Sequence, residues 1–290
     1  MSGLRYSYVT NGLADHRIDD ALVLLADNGY SGVGLTLDHQ HLDPFAPDVA
    51  ARVDHIARRA DALGLAIVVE TGGRFVLDPT RKHEPTLIGD DGRERRVDFL
   101  VRAVDIAADL GARAVSFWAG VPAPGLDPAV AWDRLVAGCS SVLEAADRRD
   151  VLLAFEPEPG MLVATLDDWE RLARALDDRR FGMTLDLGHC HCIEEEAVEA
   201  CVRRAGDRLY NVHVEDMRRG VHEHLDFGEG TFDVAPALAA LGEAHYRGLV
   251  SVELSRHSHM AHRTVPSAIA HLRKAEREGS VAAAQEVRAS

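Results

Sequence analysis

Four short apolar stretches in the second half of the chain carry residues that can bind a cation or move a proton. They are Leu153-Ala154-Phe155-Glu156-Pro157-Glu158, Met183-Thr184-Leu185-Asp186-Leu187, Leu209-Tyr210-Asn211-Val212-His213-Val214-Glu215 and Val250-Ser251-Val252-Glu253-Leu254-Ser255. In an extended strand, alternate residues face the same side. One face of these stretches is mostly apolar, with Val212, Val214, Val250 and Val252 on it. The other face carries Glu156, Asp186, His213 and Glu253. Three carboxylates and an imidazole gathered around one axis cannot stay charged and unpaired, because burying isolated ions costs too much. A divalent cation is the simplest neutraliser. Oxygen-rich ligands with one His suit Mn²⁺ or Mg²⁺, with Co²⁺ or Zn²⁺ also acceptable. Such an ion polarises the carbonyl of an α-hydroxy ketone and acidifies the adjacent C–H. A nearby carboxylate then has a proton to move.

These stretches belong to a longer alternation. Strand-like runs are predicted at Arg5–Thr10, Gly32–Leu37, Ala66–Thr71, Ala114–Ala119, Leu152–Glu156, Gly182–Leu187, Leu209–Glu215 and Leu249–Leu254. Each is followed by a helical pattern. One runs from Asp54 to Leu63 and stops at Gly64; another opens at Thr165 with Asp168 three positions on, a variant of the capping box. Strands alternating with helices pair in parallel through right-handed crossovers. Eight such units predict an α/β fold, the closed (β/α)8 TIM barrel, whose usual size is ~250 residues. The rival is an open doubly wound sheet, which should carry a glycine-rich nucleotide turn after its first strand. Tyr8-Val9-Thr10-Asn11-Gly12 is not one.

A single domain is expected over residues 1–278, with 279–290 as an Ala-rich C-terminal tail. The connection after Thr71, over residues 72–95, is too long for a simple turn. In a barrel it lies on the carboxyl-end face, where active sites are built, so it reads as a lid.

The chain holds 32 Lys plus Arg against 47 Asp plus Glu, a net charge of −15. That balance argues against nucleic acid or an anionic membrane as partner, since both reward a basic face. The N-terminus has no apolar run after Arg5, and no stretch approaches the ~20 apolar residues of a membrane span. Cys139, Cys190, Cys192 and Cys201 read as buried thiols of a reducing, cytoplasmic protein. The run His189-Cys190-His191-Cys192 is too tightly spaced for the usual structural zinc site.

The motifs together resemble the xylose-isomerase-like barrel superfamily. Its members include sugar isomerases, ketose 3-epimerases, hydroxypyruvate isomerases, inosose isomerases and dehydratases, and type IV endonucleases. The resemblance rests on Phe155-Glu156-Pro157, Asp186-Leu187-Gly188-His189, His213-Val214-Glu215-Asp216, Gly228-Glu229-Gly230-Thr231-Phe232-Asp233 and Val252-Glu253. It implies that Glu156, Asp186, His213 and Glu253 hold one divalent metal. It also implies that Glu156 and Glu253 are the acid and base, that the reaction passes through a cis-enediolate, and that His189 donates to a substrate oxygen. The function expected is isomerase or epimerase of a small sugar, keto-polyol or cyclitol. An inosose-dehydratase-like lyase is the alternative, with Glu158, His189 or His224 as the acid. Less favoured are an endonuclease IV-like phosphodiesterase and a non-catalytic barrel. The third and fourth strands end in Glu70 and Ser116-Phe117-Trp118, without the His that a multinuclear nuclease centre needs.

Further substrate contacts are expected from Glu215, which shares the face of His213, and from His222 and His224, which precede Gly228. The epimerase pattern places an Arg two to six residues after the seventh-strand His, and Arg218 and Arg219 are the candidates, with Arg219 preferred. Trp118 and Glu70 lie on the inward parity of their strands, and Lys82 and His83 on the lid. The oligomeric state is left open, with a homodimer and a homotetramer as the candidates.

Overall fold

Eight parallel strands pair in one closed ring in the computed structural model, which describes residues 3–289, with side chains to Gly279. The ring strands are β1 (Arg5–Val9), β2 (Gly32–Thr36), β3 (Ala66–Glu70), β4 (Ala114–Phe117), β5 (Leu152–Phe155), β6 (Phe181–Asp186), β7 (Leu209–Val214) and β10 (Leu249–Val252). Their order around the barrel is β1-β10-β7-β6-β5-β4-β3-β2. All eight predicted strands are present, most one or two residues shorter at the carboxyl end. The outer helices are α1 (Ile18–Asp27), α2 (Val49–Ala62), α3 (Arg93–Asp109), α4 (Pro128–Arg149), α5 (Leu166–Leu176), α6 (Leu187–Ile193), α7 (Val198–Ala205), α8 (Ala235–Glu243) and α9 (Ala261–Ala289). Among the described residues no helix is long and apolar enough to cross a membrane.

The strand parity works as the alternation requires. Val212, Val214, Val250, Val252 and Leu185 are buried beneath the helices and belong to the main apolar core. The opposite parity crosses the barrel interior. Ser116 on β4 meets Thr184 on β6 at 2.8 Å, and Asn211 on β7 donates to Glu70 on β3 at 3.1 Å. Neither pair belongs to adjacent strands, so these contacts pass through the inside. They form a hydrogen-bonded polar floor, the state in which buried polar groups are tolerated.

Local chemistry sets the element ends. Gly64, at φ +69°, follows α2 where a residue with a Cβ would be strained. Thr165 and Asp168 form a reciprocal box at the start of α5: Asp168 N donates to Thr165 Oγ1 at 3.2 Å, and Thr165 N to Asp168 Oδ2 at 3.1 Å. The four cysteines are buried and free.

Two features depart from the sequence reading. The long connection ends at Gly92, because α3 begins at Arg93. The segment after β7 is not a plain loop. It is an antiparallel hairpin of β8 (Asp216–Arg218) and β9 (Val221–Leu225), turning at Gly220 with φ +74°. Asp216 anchors the loop beyond β9, accepting from the backbone N–H of Gly228 and Gly230 at 2.9 Å each and of Phe232 at 3.0 Å. The Gly228-Glu229-Gly230 motif is thus a loop wrapped around a buried carboxylate, and none of these three residues lines the cavity enclosed by the barrel's carboxyl end.

Candidate active site

The carboxyl ends of the strands surround a cavity of about 240 Å³. This is below the ~300–1,000 Å³ of drug-sized sites, so it suits a ligand no larger than a small sugar. Glu156, His213 and Glu253 line its base, and Asp186, which does not line it, sits behind them, with ligand atoms of all four within 4.8 Å of one another. Register explains part of this. Asp186 and His213 are direct neighbours on β6 and β7, while Glu156 and Glu253 directly follow β5 and β10 on either flank. His213 Nδ1 sits 3.2 Å from both Glu156 Oε1 and Glu253 Oε2. Its Nε2 faces Glu70 Oε1 at 3.0 Å.

Glu70 lines the cavity, but its Oε1 is committed to His213 and to Asn211. This contact holds Nε2 of the His213 ring and leaves Nδ1 toward the cluster, the arrangement that outer carboxylates give metal-bound histidines.

The donor set fits a divalent ion. Asp186 Oδ1 accepts from His189 N at 2.8 Å, whereas the buried Oδ2 has no hydrogen-bond partner. Three carboxylates and one imidazole make a hard, oxygen-rich set. Burial alone would lower the His213 imidazole, but Glu70, Glu156 and Glu253 outweigh it and raise its proton affinity well above the ordinary value. The pocket therefore attracts positive charge strongly. The two flanking carboxylates differ. Burial raises Glu156 to about 7, with His213 drawing it back. Burial also penalises Glu253, but His213, His224 and a 2.7 Å hydrogen bond from Asn11 hold it below the usual carboxylate range.

Three histidines form one wall. Burial holds His189 neutral, pushing it down to about 4. Its Nδ1 approaches the Pro157 carbonyl at 3.4 Å and its Nε2 approaches His222 Nε2 at 3.0 Å. His222 and His224 share one face of β9, and their ring centroids lie 4.7 and 5.5 Å from that of His189. Glu158 lines the same wall, its carboxyl raised well above the ordinary value by burial and by the neighbouring Glu156. Two expected contacts do not reach the cavity. Glu215 is fully buried behind His224, whose Nδ1 is 3.7 Å from its Oε2. Arg219 is exposed at the hairpin turn and donates to the His191 carbonyl at 3.0 Å.

The 71–92 connection forms the opposite wall, held by Arg96 of α3. This buried guanidinium donates to the carbonyls of Pro85 at 2.7 Å and His83 at 2.6 Å. It also lies 5.1 Å from the centre of the Trp118 ring, which stacks on His83 at 5.0 Å. Trp118 is thus both packing and cavity wall. Replacing Arg96 with Met leaves two inner carbonyls without donors. We expect a loss of about 1–3 kcal/mol in urea unfolding. We also expect a KM that rises more than kcat falls, because the wall moves while the cluster stays.

His83 gives this wall a pH dependence. Burial, then Lys82, Arg96 and Arg74, lowers His83 to about 3, against about 6.5 in an unfolded chain. The folded form binds the proton less well. Stability is therefore complete above pH ~6.5 and falls as pH drops toward 3, by at most ~1.4 kcal/mol per unit from this group. His189 adds in the same direction. A His83→Gln variant should show a shallower acid slope in denaturation midpoints, and an unchanged slope would remove His83 from this role.

The sequence places Arg74 with Lys82 and His83 on a lid that would close over a polyol, a phosphate or a carboxylate group, but it does not single out Asn11, Arg96, Asn211, Ser255 or Arg256. Only Asn211 and Ser255 carried a signal, since both share the inward parity already used for His213 and Glu253.

A family model described as a xylose isomerase-like TIM barrel matches residues 22–275. The chain is 26% identical over 182 residues to an uncharacterized protein, MJ1311, of Methanocaldococcus jannaschii, covering 58% of this chain and 60% of that one. It is 25% identical over 248 residues to a fructoselysine 3-epimerase of Shigella flexneri, covering 83% of this chain and 84% of the relative. It is also 25% identical over 157 residues to an inosose dehydratase of Lactiplantibacillus plantarum, covering 48% and 52%. Among solved structures, a D-tagatose 3-epimerase-like protein superposes with a TM-score of 0.78 at 16% identity, over 97% of this chain and all of that one.

Proposed function

The chain belongs to the xylose isomerase-like TIM barrel family, and from that premise we propose that it is a metal-dependent isomerase or epimerase of a small polyhydroxy carbonyl compound. One observation carries the reading: the mutual approach of Glu156, Asp186, His213 and Glu253, three of which line the base of a small polar cavity. These four residues would hold a divalent ion, which supplies a fixed positive charge against carbonyl and hydroxyl oxygens. The named epimerases among the relatives support the same class.

The chain's own groups account for the proton movements. Glu156 and Glu253 approach from opposite flanks of the cluster. One removes the proton next to the carbonyl. The other, protonated beforehand, donates its own proton from the opposite side, which inverts the carbon, or to the neighbouring carbon, which gives the aldose–ketose isomer. The first carboxylate keeps the proton it took until solvent exchanges it. Neutral His189 has one N–H. With Nδ1–H on the Pro157 carbonyl, its Nε2, beside His222, would accept from a substrate hydroxyl rather than donate to a substrate oxygen. Trp118, Lys82 and His83 line that side of the cavity.

A second reading is favoured by Glu158. Its carboxyl lines the cavity, and burial and Glu156 raise its proton affinity, which favours it as the group that protonates a departing β-hydroxyl. The same proton abstraction would then end in elimination, as the resemblance to an inosose dehydratase suggests.

Incubating Mn²⁺-loaded protein in D₂O with a panel of ketoses, inososes and hydroxypyruvate separates these outcomes. Deuterium entering a C–H beside the carbonyl supports isomerisation or epimerisation. A conjugated dione from inosose supports the lyase. No exchange with any member of the panel refutes both.

A further inference from the structure

The base of the cavity is acidic, but its mouth is not. Arg74, Lys82 and Arg256 line it, with Ser255 and neutral His83 among them. They come from two segments that meet across the opening, and Arg74 Nη2 closes the rim by donating to the Ser255 carbonyl at 2.7 Å. Arg256 is fixed by Glu223 at 2.9 Å. Arg74 and Lys82 are different: among the described residues neither has a carboxylate oxygen within the 4.0 Å of an ion pair. This is unusual in a chain with a net charge of −15, where acidic partners are plentiful and Lys occurs at only two positions. Lys82 faces the lid wall closely enough to lower the proton affinity of His83, second only to burial.

Arg74 and Lys82 are exposed at the cavity mouth, without a carboxylate partner, and water solvates their charges. A neutral ligand filling the mouth would strip that water and leave both charges uncompensated, which is costly. An anionic group would instead accept charge-assisted hydrogen bonds from both. We propose that this rim binds a terminal anionic group of the substrate, a phosphate monoester or a carboxylate, at the end remote from the reacting carbon. This rests on the isomerase reading and narrows it to charged rather than neutral sugars. The cavity's size limits the ligand to a single monosaccharide unit or smaller.

The test compares three substrates of one carbon skeleton on Mn²⁺-loaded protein: the neutral ketose, its terminal phosphate and the corresponding ketouronate. We expect kcat/KM at least 100-fold higher for one of the two anionic forms, and which one wins identifies the group. Lys82→Met and Arg74→Met should each cost the anionic substrate about 10-fold more than the neutral one, and 0.5 M NaCl should narrow the gap. Calorimetric binding of inorganic phosphate is a readout that needs no turnover. It should be competitive with the anionic substrate and weakened at least 10-fold in either variant. Equal or better use of the neutral ketose, or equal losses on all three substrates, overturns the proposal. If no substrate turns over, the isomerase reading fails, and phosphate binding that ignores both substitutions sinks the rim site as well.

Discussion

Replacing Glu156 or Glu253 with Gln is expected to lower kcat by about 10²–10⁴-fold, the usual contribution of a positioned acid or base. Gln keeps the size of Glu and one oxygen ligand, so metal content should change far less than turnover. The two carboxylates are held differently: Glu253 accepts from Asn11 and is kept below the usual carboxylate range, whereas burial raises Glu156 to about 7. That split is the pattern expected of an acid and base pair. It also gives a finer test. If the enzyme inverts a carbon, each variant should still exchange the proton on the face served by the remaining Glu, while failing to form the other epimer. An enzyme that moves the proton between neighbouring carbons would lose both readouts together. Normal turnover in either variant, with metal bound, would show that the other groups of the cavity suffice and the assignment is wrong.

Stripping divalent ions should abolish turnover and lower the melting temperature, and Mn²⁺ should restore both. A ligand at 100 times its dissociation constant stabilises a protein by about 2.7 kcal/mol. For a chain of this size that corresponds to a shift of about 5 °C. The sign with pH follows from His213. Its proton affinity is raised by Glu70, Glu156 and Glu253 despite burial, and a metal must displace that proton from Nδ1. Metal affinity should therefore rise with pH. Glu70→Gln should weaken it by about 10–100-fold with unchanged stoichiometry, because the ring loses its fixed orientation rather than its donor atom. Metal binding as tight as in the unaltered protein would refute the positioning role of Glu70.

Much of this site was legible in one dimension. Glu156, Asp186, His213 and Glu253 could be found because strand parity is a local rule: a residue's face follows from its neighbours' polarity, whatever the rest of the chain does. The same holds for the Thr165–Asp168 box and the stop at Gly64. The barrel followed from the repetition of strand and helix, since eight parallel units with right-handed crossovers have few ways to bury both faces of a sheet.

What the tertiary structure decided were the pairings between segments far apart in sequence. The hairpin at 216–225 has a two-residue turn, Arg219-Gly220, and a run of alternating residues with His222 and His224 on one face. Such a run does not announce that it will fold back over β7 and present those histidines to His189. Glu70 resembled a substrate contact until Asn211 and His213 arrived from the other side of the barrel. Glu215 shares the parity of His213, but its side chain ends behind His224, and Arg219 turns outward. Arg96 sits on an ordinary helical stretch, and nothing local shows that its guanidinium will be buried against the lid carbonyls and Trp118. In each case the local rule gives the direction of a side chain, while its partner is set by where the closed barrel brings another strand or loop. The residue types and faces are therefore written in the sequence, and the division between ligand, positioning residue and wall is a property of the closed ring.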